Sequence, residues 1–142
     1  MKLVSLLLLL GLMLSGCTAV SNHVDKDRTL HLAACHRFFV LVNLNDNHGI
    51  APSIVRALKA RGLEADSGPI TMLPDTAQAV IVYDDKWAWD FSSHMVQLTL
   101  GAQDPKAVRP FATVSYQKNV ALSTQIDDVV NQLVGSLLTA AK

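Results

Sequence analysis

The chain has 142 residues, with 12 Lys and Arg against 12 Asp and Glu, and so carries no formal net charge. This length fits one domain, and the charge balance gives no electrostatic basis for nucleic acid, or for an anionic membrane surface, as the main partner. Half of the residues are apolar, but 11 of the first 16 are Met, Leu or Val. Part of the apolar excess therefore belongs to the amino terminus alone.

Residues 1–16 have the pattern of a secretory signal peptide. Lys2 supplies a positive charge, and an apolar run from Leu3 to Leu14 follows it. The run is shorter than the roughly 20 apolar residues that span a bilayer, and small residues end it, as in secretory signals. An uncleaved anchor and an ordinary signal peptide with a chance cysteine are the alternative interpretations.

The end of this segment, Leu14-Ser15-Gly16-Cys17, resembles the lipobox of bacterial lipoproteins. The resemblance implies that the Cys17 thiol receives the lipid and that Cys17 becomes the first residue of the mature protein. Thr18 stands where lipoproteins retained in the inner membrane often carry Asp, which favours the outer membrane, facing the periplasm. Acyl chains contribute ~0.8 kcal/mol per buried CH₂ group, enough for a triacylated cysteine to hold a small domain at a bilayer.

Residues 17–36 show no helical or strand period apart from a short ordered piece expected at Thr29–Leu32, and we predict a lipid-anchored tether. At ~3.3 Å per residue, this tether could hold the domain, residues 37–142, up to ~60 Å from the lipid. Cys35 lies within it, in a compartment where thiols oxidise. It is either a small buried hydrophobic residue beside the first strand or a thiol available for an intermolecular disulfide.

Apolar periodicity predicts the elements of the domain in chain order. Continuous apolar runs indicate strands buried on both faces, alternation indicates half-buried strands, and Gly62 suits the position after a helix. The predicted elements are a strand at Arg37–Asn45, a helix at Ile50–Arg61, an edge strand at Leu63–Asp66, a strand at Ala79–Tyr83, alternating segments at Trp87–Phe91 and Met95–Leu100, a strand at Phe111–Tyr116 and a closing helix at Ile126–Leu138.

The closing helix has the clearest pattern. Seven apolar residues fall on one stripe, and the opposite face has no Lys or Arg, which favours packing on the sheet over lying on a membrane. The order β-α-β-β-β-β-α predicts an α+β fold, with a mixed, mostly antiparallel sheet of four to five strands and two helices packed on it. The stripe is Ile126, Val129, Val130, Leu133, Val134, Leu137 and Leu138.

The segment from Tyr83 to Asp90 reads Tyr-Asp-Asp-Lys-Trp-Ala-Trp-Asp, and alternating residues, an Asp104-Pro105 turn and a strand ending at Tyr116 follow it. This arrangement resembles a family of small Gram-negative envelope lipoproteins of unknown function, which carry a Tyr-x-Asp-x-Trp-x-Trp-Asp segment. The likeness covers residues 37–140. It implies an envelope location and a sheet closed by a helix, and it implies no activity.

The residue spacings and motifs of the sequence give little support for catalysis or for metal binding. The five histidines have no spacing typical of metal ligands, and no nucleophile elbow or phosphate loop occurs. Asp84, Asp85 and Asp90 could form a carboxylate pair for hydrolysis, but such residues are more often turn formers and solvated strand ends. We therefore expect no enzyme activity, no metal and no cofactor.

Trp87, Trp89 and Phe91 alternate along one strand and so share a face, with Asp85 beside them. They are either a sheet face covered by a helix or a binding surface with an exposed anchor. Our first hypothesis is a non-enzymatic outer-membrane lipoprotein, anchored through Cys17, that binds another envelope protein. The alternative is a periplasmic receptor for a small ligand or glycan, using this aromatic strand and the loop Asp46–Gly49.

Overall fold

The computed structural model describes residues 18–24, 32–90, 92–118 and 125–140. They form one six-stranded sheet, two α-helices and two 3₁₀ turns, at Leu32–Ala34 and Ile70–Met72. The predicted signal peptide, Cys17 and Phe91 lie outside the described residues. In chain order the strands and helices are β1 (Thr18–Val24), β2 (Arg37–Leu41), α1 (Ile50–Lys59), β3 (Glu64–Gly68), β4 (Ala79–Asp90), β5 (Ser92–Gln103), β6 (Ala112–Lys118) and α2 (Ile126–Ala140).

The strand order across the sheet is β1-β6-β5-β4-β2-β3. β1, β6, β5 and β4 pair antiparallel in succession, whereas β4, β2 and β3 are parallel. Parallel neighbours need a crossover connection, and α1 supplies it between β2 and β3. The predicted α+β class, mixed sheet and two helices are confirmed, but the sheet has six strands, and the expectation of four to five was wrong.

The additional strand is β1, at the amino-terminal edge of the sheet. It pairs with β6 along its whole length, from Thr18 opposite Lys118 to Val24 opposite Ala112. The sequence pattern predicts a tether for these residues, because the segment has no strong alternation of its own and its partner strand is distant in the chain. Residues 18–24 are therefore part of the sheet, while residues 25–31 lie outside the described part of the chain.

The main core lies between the two helices and one face of the sheet. The stripe of α2 is confirmed: five of its seven apolar side chains are buried, and Ile126 and Leu138 are partly buried against the same core. Phe38 and Val40 of β2 face this core. Phe39, on the opposite face, is buried as well, so β2 is covered on both faces, as its continuous apolar run predicts.

A bulge interrupts the pairing of β4 with β5. Lys86 lies opposite Gln97, whereas Trp87 lies opposite Met95, so Val96 is an extra residue on β5. An inserted residue reverses the alternation of faces beyond it. The sequence pattern predicts that Val96, Leu98 and Leu100 share the buried face, and this is wrong for Val96. Met95 is buried with the two leucines instead, and Val96 is only half-buried.

Candidate functional site

The candidate site lies where the chain leaves the carboxyl end of β2. Residues 42–49, the β2–α1 loop, run from this end to α1 and meet β4, which is the parallel neighbour of β2. From β2 the chain passes through α1 to β3 on one side, while β4 lies on the other side. In sheets with parallel strands, ligands often bind in the crevice at the carboxyl ends of two neighbouring strands whose connections run in opposite directions.

Asp46 holds this loop in place with both carboxylate oxygens. Oδ1 accepts hydrogen bonds from the backbone N–H of Ile50 at 3.0 Å and of His48 at 3.2 Å. Oδ2 accepts from the N–H of Ala51 at 2.8 Å and from the hydroxyl of Tyr83 at 2.9 Å. The first amides of a helix have no partner within the helix, and Asp46 satisfies two of those of α1.

The Asp46–Tyr83 pair is locked in one protonation state near neutral pH. Partial burial alone would raise the pKa of Asp46, but the hydrogen bonds from Ala51, Ile50, Tyr83 and His48 together lower it. Burial, with the neighbouring carboxylates, raises the pKa of the Tyr83 phenol. The phenol oxygen also accepts the backbone N–H of Asn43 at 3.0 Å. These groups join β4 to the loop and do not exchange protons at neutral pH.

Three side chains form a compact group beside this pair, which we call the aromatic cluster: His48, Asp85 and Trp87. The rings of His48 and Trp87 are stacked, with centroids 3.7 Å apart and planes 11° from parallel. The indole N–H of Trp87 donates to Oδ2 of Asp85 at 2.6 Å, and Nδ1 of His48 lies 4.0 Å from the same oxygen. Asp85 therefore fixes the orientation of the indole that His48 covers.

Trp89 lies outside this packing. It is two residues beyond Trp87 on the same strand, opposite Ser93, and 78% of it is exposed. Of the predicted binding residues, the structure brings Trp87 and Asp85 into contact and leaves Trp89 in solvent, while Phe91 lies outside the described residues. A helix therefore does not cover this face along its whole length.

The sequence pattern indicates the loop Asp46–Gly49 as part of a binding site, but not the roles of Asp46, His48 and Tyr83 in it. The signal for Asp46 was available: an Asp shortly before a helix start is typical of a side chain that caps backbone amides. The stacking of His48 on Trp87 has no sequence signal, because it joins two segments far apart in the chain. Only the topology brings them together.

Of the predicted carboxylates, the two whose side chains are described, Asp84 and Asp85, do not form a pair. Asp84 and Asp85 are consecutive on β4 and therefore point to opposite faces of the sheet; Asp84 is exposed, while Asp85 is bonded to Trp87. Of Asp90 only the backbone is described, at the end of β4. Within residues 18–24, 32–90, 92–118 and 125–140, no group of three or more His, Cys, Asp or Glu side chains could hold a metal ion.

A polar cleft of about 270 Å³ adjoins the aromatic cluster, between the amino-terminal ends of the two helices, and His48, Arg56 and Asp127 are among its lining residues. Asp127 accepts hydrogen bonds from the hydroxyl of Ser53 and, at 2.6 Å, from the guanidinium of Arg56. These bonds lower the pKa of Asp127. The cleft thus contains an ion pair that joins α1 to α2, and its charges are already matched.

No helix in the described part of the chain is long and apolar enough to cross a membrane. No protein family and no curated protein sequence matches this chain. The resemblance to small envelope lipoproteins, based on the Tyr83–Asp90 segment, therefore stays a prediction.

Solved structures match the fold. The PelC dodecamer from Paraburkholderia phytofirmans is similar with a TM-score of 0.57 and 13% identity, over 88% of this chain and 97% of that one. A minor lipoprotein from Acinetobacter baumannii matches with a TM-score of 0.43 and 14% identity, over 73% of this chain and 92% of that one. At this level of identity, the PelC match establishes a shared fold.

Proposed function

We propose that this protein is a non-enzymatic binding or structural module of the cell envelope, anchored by a lipid on Cys17 to the periplasmic leaflet of the outer membrane. One observation carries the proposal: the lipobox-like segment ends at Cys17, and β1, the first described strand, starts at the next residue. Cleavage before Cys17 would thus leave all six described strands on the mature chain.

The chemistry of the site supports a binding role rather than catalysis. Asp46 and Tyr83 are committed to holding the β2–α1 loop, and Asp85 to orienting Trp87. A general acid or base needs a pKa near the working pH, whereas the pKa of Asp46 is lowered and that of Tyr83 is raised. The part of the site that remains available to a partner is its exposed surface. Among the described residues, Trp89 is the most exposed aromatic side chain there.

The anchor is tested by metabolic labelling with radioactive palmitate in a Gram-negative host, followed by separation of the two membranes by density. We expect the label on the wild-type protein in the outer-membrane fraction, and its loss in Cys17→Ser. Cys35→Ser is the matched control, since Cys35 is buried within the domain, and it should retain the label. An unlabelled wild-type protein would exclude the lipid anchor.

A second candidate function is recognition of a glycan or small ligand, and the exposure of Trp89 favours it. Sugar rings pack their apolar faces on exposed aromatic rings, and a polar group such as the ring of His48 gives orientation. Soluble fragments of envelope glycans should then raise the melting temperature of the wild-type protein and leave that of Trp89→Ala unchanged. A stoichiometric protein partner captured by crosslinking in envelopes would favour the first function instead.

A further inference from the structure

Two of the most exposed large apolar side chains lie at one end of the sheet. Trp89 is 78% exposed near the carboxyl end of β4, and Leu44 is 98% exposed in the β2–α1 loop. β2 and β4 are parallel, so their carboxyl ends point the same way, and β4 continues to Asp90, beyond the level at which β2 ends. The hairpin between β4 and β5, which turns between Asp90 and Ser92, extends from this end.

The amino terminus of β1 lies at this same end. β1 is antiparallel to β6, β6 to β5 and β5 to β4, so the start of β1 and the end of β4 point the same way. The pairing register shows how far along the sheet each residue lies. Thr18 lies opposite Lys118, Gln117 opposite Gln97, and Gln97 opposite Lys86. Thr18 is therefore nearly level with Trp87.

Simple strand geometry places Trp89 with respect to the anchor residue. Trp89 is two residues past Trp87, so it projects about 7 Å beyond the level of Thr18, at ~3.3 Å per residue. β1 and β4 are three strand spacings apart, which is about 14 Å. Cys17 is bonded to Thr18, with Cα atoms ~3.8 Å apart. No long linker separates Cys17 from the sheet, so a lipid there would bring Trp89 to the bilayer with it.

We propose that this end of the sheet rests on the lipid bilayer, with Trp89 in the interfacial region as a second contact beside the lipid of Cys17. The inference rests on the proposed lipidation of Cys17. Tryptophan favours the interface, because its ring is apolar and its N–H is polar. The polar region of each leaflet is roughly 5–7 Å thick, comparable with the projection of Trp89. The chain from Cys17 onward has lost Lys2 and carries 11 Lys and Arg against 12 Asp and Glu, so the contact does not depend on anionic lipid.

This contact would fix the orientation of the domain. A lipid on a flexible tether permits any orientation, whereas two contacts about 14 Å apart on a rigid sheet hold one end toward the membrane. The β5–β6 connection, which contains Val108, then faces away, since it leaves the opposite end of the sheet. Val108 is 93% exposed, and it offers a matched position for a control.

The test uses intrinsic fluorescence, because the chain has only two tryptophans, Trp87 and Trp89. The mature chain, with Cys35→Ala, is coupled through the Cys17 thiol to a maleimide lipid in phosphatidylethanolamine and phosphatidylcholine vesicles that contain brominated acyl chains. The acylated protein from outer membranes is examined in the same vesicles. We expect bromine to quench about half of the wild-type emission and much less of that of Trp89→Phe, because bromine quenches at contact.

The control variant combines Trp89→Phe with Val108→Trp, and its new tryptophan should keep its emission. Equal quenching at the two positions, or none at Trp89, overturns the inference. If Trp89 is unquenched by bromine but also protected from aqueous acrylamide, a protein covers the hairpin instead. The chemically coupled chain tests the bilayer contact of Trp89 whether or not the cell acylates Cys17. The proposed lipid anchor itself is tested separately, by palmitate labelling. Trp89 is exposed, so its replacement leaves the fold intact, which thermal melting verifies.

Discussion

At the scale of single residues, Asp46 decides whether the candidate site exists. Its four hydrogen bonds hold the loop, the start of α1 and Tyr83 of β4 together. Asp46→Asn keeps the shape but replaces one acceptor oxygen with an N–H₂ donor. We expect a loss of about 1–2 kcal/mol in the free energy of unfolding at pH 7, the usual cost of a lost helix cap. Urea denaturation measures it, and Asp75→Asn, at an exposed turn, is the control.

The same carboxylate gives a pH dependence with a definite sign. Its pKa is lower in the folded protein than in the unfolded chain, so its stabilisation is complete above the unfolded value of ~3.9 and is lost as the pH falls through the folded value. The difference in stability between wild type and Asp46→Asn should therefore shrink as the pH falls from about 4 toward about 2. A difference that stays constant over this range would contradict the role assigned to the charge.

Cys35 is predicted to be unreactive in the folded protein. It is 4% exposed, and burial, together with the charge of Asp104, raises the pKa of its thiol. Thiolate is the reactive form, so in a Cys17→Ser background a disulfide reagent should label Cys35 on the order of 100-fold more slowly in buffer than in urea. A dimer band on non-reducing gels would support the intermolecular disulfide instead.

At the scale of elements, local patterns predicted most of the fold, and pairing between distant segments accounts for what they missed. The stripe of α2, the buried run of β2 and the turn at Gly62, with φ 76°, are local features and were predicted. β1 forms through its pairing with the edge of β6. The bulge at Val96 arises from the register between β4 and β5. The site divides in the same way: Trp87 and Asp85 are near in sequence, whereas His48 is not.

One element contact depends on the lack of a side chain at Gly101 of β5. A Cβ there would lie 2.8 Å from Cγ of Pro110 and 3.0 Å from Cγ2 of Val82. Gly101→Ala should therefore destabilise the protein by about 1–3 kcal/mol, the usual cost of overpacking. The cost should be smaller in a Pro110→Ala background, where the clashing Cγ is gone. A double-mutant cycle from urea denaturation measures the coupling, and additive effects would show that Pro110 is not the obstacle.

At the scale of the whole molecule, β1 determines how far the domain lies from Cys17, the residue proposed to carry the lipid. A tether of residues 17–36 would let the domain lie far from Cys17. A strand that starts at Thr18 instead places the sheet beside Cys17. β1 also closes one edge of the sheet, next to β6, and contacts α2. The residues that follow Cys17 would therefore contribute both to the position of the domain, if Cys17 carries a lipid, and to its stability.

The two roles can be separated by replacing residues 18–24 with a Gly–Ser segment of equal length, which keeps the chain length but lacks strand propensity. The free energy of unfolding should fall by roughly 1–3 kcal/mol, because the pairing of β1 with β6 is weakened and each hydrogen bond contributes about 0.5–1.5 kcal/mol net. The slope of the urea transition should also fall, because less surface is exposed on unfolding. A variant with Ser21→Ala alone, at an exposed position of β1, serves as the control. Equal stability of the replaced chain and the wild type would mean that these residues act as a tether after all.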